Sequence, residues 1–363
     1  MQRRKFLKTS TGIGALRALG FTALVADGQG GESAAERTRL PGADSATKVG
    51  RPVRVVSLAT KGHERPLESL VELVDAEGSR GADIIALAET WRGINDRGSE
   101  ESLDGPAVTA MAALARKHHA YIVCPIDRKD GKRRFNSAVL LDRAGRVASV
   151  YNKVFPWFPE FRVSPPVEPG QTVVVHQADF GRVGFAICFD IFFNEVWEGL
   201  AEKGAELVIY PSDSSGGNLL QAHALNYHYY IVSSTHTPDC QVFDITGEEI
   251  LYRRGDDINI CRVTLDLDRG VYNIDSIESN NANRAKRDKL LKEHGDDVMQ
   301  EKYMERDDWF VLKAKHPGVS ARELARSYGL EELRDFINRS RLLIDQRRGW
   351  AFAEKVLRKP QAS

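Results

Sequence analysis

The chain has 363 residues, of which 42% are hydrophobic and 28% are charged, and its 51 Lys and Arg balance 51 Asp and Glu. This length allows one large domain or two ordinary ones, and a formal net charge of zero gives no indication of a surface for nucleic acid or anionic membranes. Four scattered cysteines without a CxxC pair argue against a disulfide scaffold and against a zinc site.

The first 26 residues have the pattern of an export signal. Arg3 and Arg4 precede a short apolar run, TGIGALRALGFTALVA, which ends in small residues. We predict a twin-arginine signal peptide over residues 1–26 and delivery to the bacterial periplasm or medium; the alternative is a basic arm on a cytosolic protein. The run is too short for a secure membrane span, so the mature form is expected to be free of membrane segments. Residues 27–50 are polar and aperiodic, which predicts a disordered linker.

From residue 51 to 272, short apolar runs alternate with helix-like segments, which indicates an α/β domain. Strands are predicted at 53–58, 83–89, 121–126, 136–142, 146–153, 173–178, 182–188, 206–212, 229–235 and 259–268, and helices at 66–81, 106–118, 194–204 and 218–227. Two pairs of runs flank turns as antiparallel hairpins do, namely 136–142 with 146–153 and 173–178 with 182–188. The sheet is therefore expected to be mixed rather than purely parallel.

Beyond residue 272 the sequence becomes charged, which predicts a helical C-terminal extension over 273–363 without further apolar strands. Ser320 and Glu323 have capping-box spacing before ELARSYGLEELRDFI, and this spacing predicts a helix there. The same segment has the pattern of a helix-turn-helix, but neutral charge, the export signal and the single copy favour a packing appendage. No nucleic-acid partner is expected.

Three polar residues end apolar, strand-like runs. Glu89 ends IIALAE, Lys153 ends SVYNK, and Cys188 ends VGFAIC just before a helical pattern. A strand-to-helix elbow exposes the cysteine and aims backbone N–H groups at it, which favours a thiolate and can hold an oxyanion. Each residue alone also has an ordinary structural interpretation: a buried small cysteine, a capping or ion-paired glutamate, and a surface lysine.

Together, the segments ALAETWRG, YNKVFPWFPE and GFAICFDIFFNEVWEGLAEKGAELVIYPS resemble, in order and approximate spacing, the three signature regions of nitrilase-like carbon–nitrogen hydrolases. The resemblance spans residues 53 to 268 and includes Pro169 and Gly170. It implies a carbon–nitrogen hydrolase domain over 51–272, folded as a four-layer α-β-β-α sandwich. It also implies a homo-oligomer, since the family generally associates through the helices that flank the elbow.

The resemblance assigns a role to each residue of this set. Cys188 would be the nucleophile, Glu89 the general base and acid, and Lys153 the oxyanion stabiliser together with the Phe189 backbone N–H. The reaction would cleave a non-peptide amide or N-carbamoyl C–N bond through a thioester on Cys188, with a small amide-type molecule as substrate. Neither a metal nor an organic cofactor is required.

Further site residues follow from the same resemblance. Many members carry a second carboxylate shortly after the lysine, which orients the substrate or the attacking water. Glu160 is the best match for it and Glu168 the second. The remaining candidates for substrate binding are Trp157, Phe192 and Asp213.

Departures from the family pattern bear on the substrate. After the nucleophile, Phe192 and Asn194 replace the arginine and the proline of the usual C-x-D-x-R-F-P-E. In relatives where that arginine binds a substrate carboxylate, it supplies a contact that this chain lacks. The departure argues against an ω-amidic acid as the substrate. Phe155, Trp157, Phe158 and Phe192 predict an aromatic mouth that favours a bulky or flat apolar group, with simple packing as the alternative.

Several alternatives stay open at this point. Within the family an amidase-type hydrolase is expected first, and an N-carbamoyl hydrolase, a nitrilase and an acyltransferase to an amine are the others. From a different class, a catalytically inactive binding or scaffolding member would keep the same fold. His223, His228 and His236 lack metal-ligand spacing with a partnering carboxylate, so no metal site is expected.

Overall fold

The computed structural model describes residues 48–63, 65–96, 98–275, 279–304 and 306–349. The predicted signal peptide and residues 27–47 of the predicted linker lie outside these ranges. All of the described residues fall in one compact unit. Within them, no helix has the length and apolar character needed to cross a membrane.

The first sheet contains six strands: β1 (Pro52–Thr60), β2 (Ile84–Leu87), β3 (Tyr121–Asp130), β4 (Arg133–Leu141), β5 (Val147–Asn152) and β12 (Ile258–Asp266). Their order across the sheet is β12–β1–β2–β3–β4–β5. β1, β2 and β3 run parallel, and every other neighbouring pair is antiparallel. The central strands are buried along almost their whole length, as expected for Val- and Ile-rich strands covered on both faces.

The second sheet repeats this arrangement with β6 (Val175–Ala178), β7 (Gly181–Phe185), β8 (Leu207–Ser212), β9 (Tyr230–Thr235), β10 (Asp239–Phe243) and β11 (Glu249–Arg254). Their order is β11–β10–β9–β8–β7–β6. β7, β8 and β9 form a parallel centre between antiparallel edges. Both predicted hairpins, β4–β5 and β6–β7, are confirmed.

The helices complete four layers. α1 (Leu67–Gly78) and α2 (Pro106–His118) pack on the first sheet, and α3 (Asn194–Glu202) and α4 (Gly217–Tyr227) pack on the second. Between the sheets, side chains such as Val123 and Leu140 share one apolar cluster with Phe185 and Ile209. Burying each of these aliphatic or aromatic side chains contributes about 1.5–3 kcal/mol. The predicted α-β-β-α sandwich is therefore confirmed.

The C-terminal part contains a third sheet. β13 (Gly270–Asn273), β14 (Val298–Met304) and β15 (Trp309–Ala314) are antiparallel in the order β13–β15–β14, and helix α5 (Ala282–His294) lies between β13 and β14 in the chain. The prediction of a helical extension without apolar strands after residue 272 is therefore wrong, and the third sheet begins before that boundary. Trp309 and Val311 are buried in the main core, so β15 is stabilised by tertiary packing.

Ser320 caps a helix as its spacing predicts, through its side chain alone, and the helix is shorter than expected. Ser320 Oγ accepts the Glu323 N–H at 3.1 Å and begins α6 (Ala321–Ser327). Gly329 has a φ of +71°, a left-handed conformation that ends the helical path. The chain then starts a separate helix, α7 (Leu333–Arg347).

Helix α7 contacts α3, which is one of the helices that flank the elbow. Arg341 on α7 pairs with Glu198 and Glu202 on α3. Part of α3 is thus covered by the chain's own C-terminal helix. Oligomerisation through the elbow helices stays a prediction.

Candidate active site

The main chain after β5 fixes Lys153 at the carboxyl end of that strand. The Lys153 N–H donates to Asn136 O at 2.8 Å, and Lys153 O accepts the Gly170 N–H at 2.8 Å. A Cβ atom on residue 170 would lie only 2.1 Å from Asn152 O. Only glycine permits this approach, so the predicted Pro169–Gly170 pair has a direct role in holding the lysine.

The Lys153 ammonium lies between two carboxylates. Lys153 Nζ is 2.9 Å from Glu89 Oε1 and 3.0 Å from Glu160 Oε1, and the three side chains are at most 10% exposed. Of the two candidates for the second carboxylate, Glu160 occupies this position, whereas Glu168 donates its backbone N–H to Arg134 O. Burial lowers the pKa of Lys153, but the charges of the two glutamates outweigh burial and raise it, so the ammonium stays charged.

Further donors hold both carboxylates, and sequence reasoning missed one of them. Asn136 Nδ2 donates to Glu89 Oε1 at 2.6 Å and to Glu160 Oε1 at 2.9 Å. The Trp157 N–H donates to Glu160 Oε2 at 3.0 Å, and the Asp213 N–H donates to Glu89 Oε2 at 2.8 Å. The residue that was missed is Asn136. The signal that could have found it is a polar residue at the start of the apolar run NSAVLLD, in β4, which pairs with β5, the strand that Lys153 follows.

Cys188 begins a 3-10 helix (Cys188–Phe192) that joins β7 to α3. The predicted strand-to-helix elbow is thus present, with a tight turn inserted before the α-helix. Cys188 has a φ of +44°, a conformation that costs a non-glycine residue about 1–3 kcal/mol and is typical of functional positions. The Tyr210 hydroxyl donates to Cys188 O at 2.8 Å and helps to hold this turn.

Asp190, two residues after the cysteine, ties the elbow to the segment that follows the lysine. Its fully buried carboxylate accepts the Tyr151 hydroxyl at 2.7 Å, the Ile187 N–H at 2.9 Å and the Phe155 N–H at 2.9 Å. Burial raises the pKa of Asp190 to about 6, although the three donors act in the opposite direction. The carboxylate links the turn that carries the thiol to the turn that carries the ammonium.

Replacing Asp190 with alanine should therefore destabilise the protein strongly. Three buried donors would lose their acceptor, and we expect the free energy of unfolding to fall by about 3 kcal/mol or more. Urea denaturation measures this change, with Glu195→Ala on the exposed face of α3 as the control that shifts stability by less than about 1 kcal/mol. A variant at Asp190 as stable as the parent would show that the carboxylate does not hold the elbow.

The electrostatic surroundings keep the Cys188 thiol protonated. Burial and the charge of Glu89 raise its pKa to about 12, against the charge of Lys153 and a hydrogen bond with Ser212. Hydrogen bonds at the elbow do lower the pKa of the thiol, as expected, but burial and the neighbouring carboxylate outweigh them. A base must take the thiol proton during attack, and Glu89 is the carboxylate whose charge acts most strongly on the thiol.

The aromatic side chains around the elbow divide into two groups. Phe155 stacks face to face on Phe193 with ring centroids 3.7 Å apart, and Phe189 lies edge-on to Phe193 at 5.5 Å, which is packing. Three side chains of the predicted mouth are more than half exposed: Trp157, Phe158 and Phe192. Of the four predicted mouth residues, only these three are open to a ligand.

Asp213, a predicted substrate-binding residue, contacts both Glu89 and His63. Its backbone N–H holds Glu89, while its carboxylate Oδ1 lies 2.9 Å from His63 Nε2. The hydrogen bond with His63 lowers the pKa of Asp213, so the carboxylate is ionised near neutrality. Asp213 therefore contacts the base through its main chain and a histidine through its side chain.

The histidines considered as metal ligands bond to backbone carbonyls. His223 Nε2 lies 2.9 Å from Ile191 O, and His228 Nδ1 lies 3.0 Å from Ile245 O. Across the part of the chain that the structure describes, no three His, Cys, Asp or Glu side chains are grouped so as to hold a metal ion.

Sequence comparison identifies the family. A family model described as carbon-nitrogen hydrolase matches residues 55–267, which is more than half of the chain. A nitrilase from Pyrococcus abyssi is 31% identical over 150 residues, 39% of this chain and 56% of that protein. An omega-amidase from Danio rerio is 25% identical over 150 residues, 38% of this chain and 54% of that protein. The chain spans about half the length of the curated relatives it matches.

Solved structures agree on the fold. An amidase from Nesterenkonia sp. is similar with a TM-score of 0.54 at 20% identity, covering 61% of this chain and 92% of that chain. A mutant of that amidase in complex with butyramide has a TM-score of 0.53 at 20% identity, with coverage of 60% and 92%. The matched family region contains the strands that carry the glutamate, the lysine and the cysteine. The chain therefore belongs to the carbon–nitrogen hydrolase family.

Proposed function

We propose that this enzyme hydrolyses a non-peptide amide or N-carbamoyl bond through a thioester on Cys188. In this proposal Glu89 is the general base and acid, and Lys153 stabilises the oxyanion. The observation that carries the proposal is the buried Lys153 ammonium, which pairs with both Glu89 and Glu160. The charges of Lys153 and Glu89 both act on the protonated Cys188 thiol. Burying charges costs a fold stability even when they pair, and clusters of buried, perturbed charges concentrate at active sites.

The first half of the reaction forms the thioester. Glu89 takes the Cys188 proton as the sulfur attacks the substrate carbonyl carbon, since the high pKa of the thiol makes proton transfer part of the attack. The carbonyl oxygen becomes anionic, and the Lys153 ammonium with the Phe189 N–H supplies the donors for it. Glu89 then gives its proton to the leaving nitrogen, the C–N bond breaks and an amine or ammonia departs.

The second half returns the enzyme to its starting state. Glu89 takes a proton from water as the water oxygen attacks the thioester carbon, and Lys153 again faces the oxyanion. The C–S bond breaks, the acid leaves, and the proton returns from Glu89 to the Cys188 sulfur. Glu160 orients the attacking water, because Asn136 and Lys153 fix its Oε1 beside that of the base.

The proposed substrate is a small amide whose acyl group lacks a carboxylate. Phe192 stands where many relatives have an arginine, and its exposed ring offers no positive charge. The structurally similar Nesterenkonia amidase has been solved in mutant form with acrylamide and with butyramide, which are small uncharged amides. The omega-amidase among the relatives does not share enough of its length with this chain to argue for its substrate.

The test is a hydrolysis screen of simple amides, N-carbamoyl amino acids and nitriles, read as release of ammonia or amine with Cys188→Ala as the blank. We expect turnover of simple amides that the blank lacks. Turnover of nitriles alone would assign the nitrilase reaction instead. Release from none of the three classes, with slow and pH-independent iodoacetamide labelling of Cys188, would assign the inactive binding or scaffolding function.

We also propose that the enzyme is exported in folded form by the twin-arginine route. Folding in the reducing cytoplasm would bury the free thiol at its elbow before oxidants can reach it. Cell fractionation should find the native sequence, shortened after Ala26, in the periplasm, and an Arg3→Lys/Arg4→Lys double variant should stay at full length in the cytoplasm. Both forms at full length in the cytoplasm would mean that the N-terminus is only a basic arm.

A further inference from the structure

The rings of His63 and His236 contact the main chain at residues 89 and 90, and they lie on the segments that follow β1 and β9. The centroids of His63 and His236 are 4.1 Å apart, with the rings tilted by 60°. His63 Nδ1 lies 3.0 Å from Thr90 O, and its Nε2 lies 2.9 Å from Asp213 Oδ1. Both nitrogens of this ring therefore face acceptors.

The second ring holds the backbone of the base itself. His236 Nε2 lies 2.5 Å from Glu89 O, and its Nδ1 lies 2.8 Å from Thr60 O. The pair thus contacts the carbonyls of residues 89 and 90, and His63 also holds the residue whose N–H bonds to Glu89 Oε2.

The acceptors around the two rings indicate which of them favours a second proton. A neutral imidazole has one N–H, so a ring can donate to two acceptors only as an imidazolium. Burial lowers the pKa of His63, but its bonds to Asp213 and Thr90 and the charge of Glu89 outweigh burial and raise it. Burial and the charge of His63 lower the pKa of His236. Both rings face two acceptors, but only His63 of the pair faces a carboxylate, that of Asp213, whereas His236 faces two neutral carbonyls, so His63 is the ring that favours the imidazolium form.

We propose that the His63 imidazolium is a positioning residue for the general base: it joins the Asp213 carboxylate to the Thr90 carbonyl and so fixes Glu89 for proton transfer with Cys188. This inference rests on the proposed function and deepens it. Losing the charge would leave His63 with one donor for two acceptors, which frees either residue 90 or residue 213. Glu89 would then lose part of the support that aims its carboxylate at the thiol.

Other charged groups also face His63. It lines a cavity of about 420 Å³ together with Arg65 and Arg92. Arg65 pairs with Asp257 at 2.7 Å, and the Arg92 guanidinium lies 5.5 Å from the centroid of the Trp91 ring. Asp213 and Glu89 favour the charge on His63.

The pH dependence has a definite sign. Because the pKa of His63 in the folded protein is raised above 6.5, both of its hydrogen bonds are present below that pH and are lost as the pH rises through the raised value. Reactivity that depends on Glu89 should therefore stop rising, or fall, on the alkaline side of the His63 titration. A histidine with a merely structural role would leave the profile set by the thiol and Glu89 alone.

The experiment is iodoacetamide labelling of Cys188 across the His63 titration, quantified by peptide mass spectrometry. His63→Gln keeps a donor but removes the charge, and we expect about tenfold slower labelling below neutral pH and loss of the alkaline break. The matched control is His176→Gln, a half-buried histidine on β6 beside Tyr121, which should reproduce the parent profile. Equal rates and equal profiles for His63→Gln and the parent, both folded by circular dichroism, would overturn the proposal.

A second variant covers a failure of His63→Gln to fold. Asp213→Asn keeps the N–H that bonds to Glu89 and removes the charge that favours the imidazolium, so the alkaline break should move to lower pH. An unmoved break would overturn the proposal. Labelling needs no amide substrate, so a failed hydrolysis screen refutes only the proposed function, whereas an unaltered labelling profile refutes only the positioning role.

Discussion

Replacing Cys188 with alanine should reduce amide hydrolysis by about 10⁴-fold or more and leave the fold intact. In the proposed mechanism the sulfur forms the covalent bond to the acyl group, and the neighbouring Ser212 hydroxyl is engaged in a hydrogen bond to Ser214 O. The substitution removes one partly buried atom, and alanine can occupy the same positive φ as cysteine without a larger side chain to place. Comparing kcat/KM with the melting temperature separates a chemical effect from a loss of folded protein.

The matched controls are the other three cysteines, which are all buried: Cys124, Cys240 and Cys261. Cys124 lies on β3 in the apolar cluster that includes side chains of α2, so Cys124→Ala removes the same atom outside the charge cluster. Much of the activity should survive each of these substitutions. A comparable loss at one of them, with Cys188→Ala still active, would refute the assignment of the nucleophile.

Replacing Lys153 with methionine should damage both stability and activity. Methionine fills much of the same volume, but it leaves Glu89 and Glu160 buried together without a cation. Breaking a buried ion pair from one side costs about 3–5 kcal/mol, and losing one oxyanion donor costs about 10²–10³ in kcat. The loss of stability should shrink in acid, because burial raises the pKa of Glu160, and once that carboxyl takes up a proton it no longer repels Glu89.

The control for this variant is Lys117→Met. Lys117 pairs with Asp75 on the surface, and an exposed ion pair contributes less than about 1 kcal/mol. Denaturant unfolding at neutral and acid pH measures both variants. A Lys153→Met protein as stable as the parent at neutral pH would mean that the carboxylates are not held by this ammonium.

The central sandwich was predictable because its strands are apolar and bounded by turns. Runs such as VRVVSL and DIIALAE carry enough Val, Ile and Leu to indicate buried strands, and the residues that end them are conspicuous by their polarity. Glu89 and Lys153 stood out for that reason. Their meeting at one point follows from the sheet, since β2 and β5 end at the same edge of the first sheet.

Strands that carry buried charge could not be predicted in this way. β3 continues to Asp130, four residues past its predicted end, and β4 begins three residues early at Arg133. The added segments contain Asp127 and Arg134, which are buried and paired at 2.6 Å. A charged residue in a sequence pattern predicts an exposed position, because the partner that neutralises it lies on the other strand of the hairpin. The third sheet was missed for other reasons: β14 is mostly polar and depends on its pairing with β15, and the apolar run WFVL of β15 was passed over within a segment that is otherwise charged.

The supporting residues of the site were hidden by distance along the chain. Asn136 reaches Glu89 across 47 positions, and His236 reaches the Glu89 carbonyl across 147. Nothing local to either residue marks it as part of a site. The raised pKa of the Cys188 thiol is likewise a property of the assembled cluster, because burial and the Glu89 charge exist only in the folded protein.

The central claim is that the acyl group passes through a thioester on Cys188, and acid quenching during turnover of an amide substrate tests it most directly. The intact mass should rise by the acyl group, the peptide that contains Cys188 should carry it, and neutral hydroxylamine should remove it. The Cys188→Ala variant should show no such adduct. Turnover at the parent rate without any adduct, or with the acyl group on a different residue, would contradict the account.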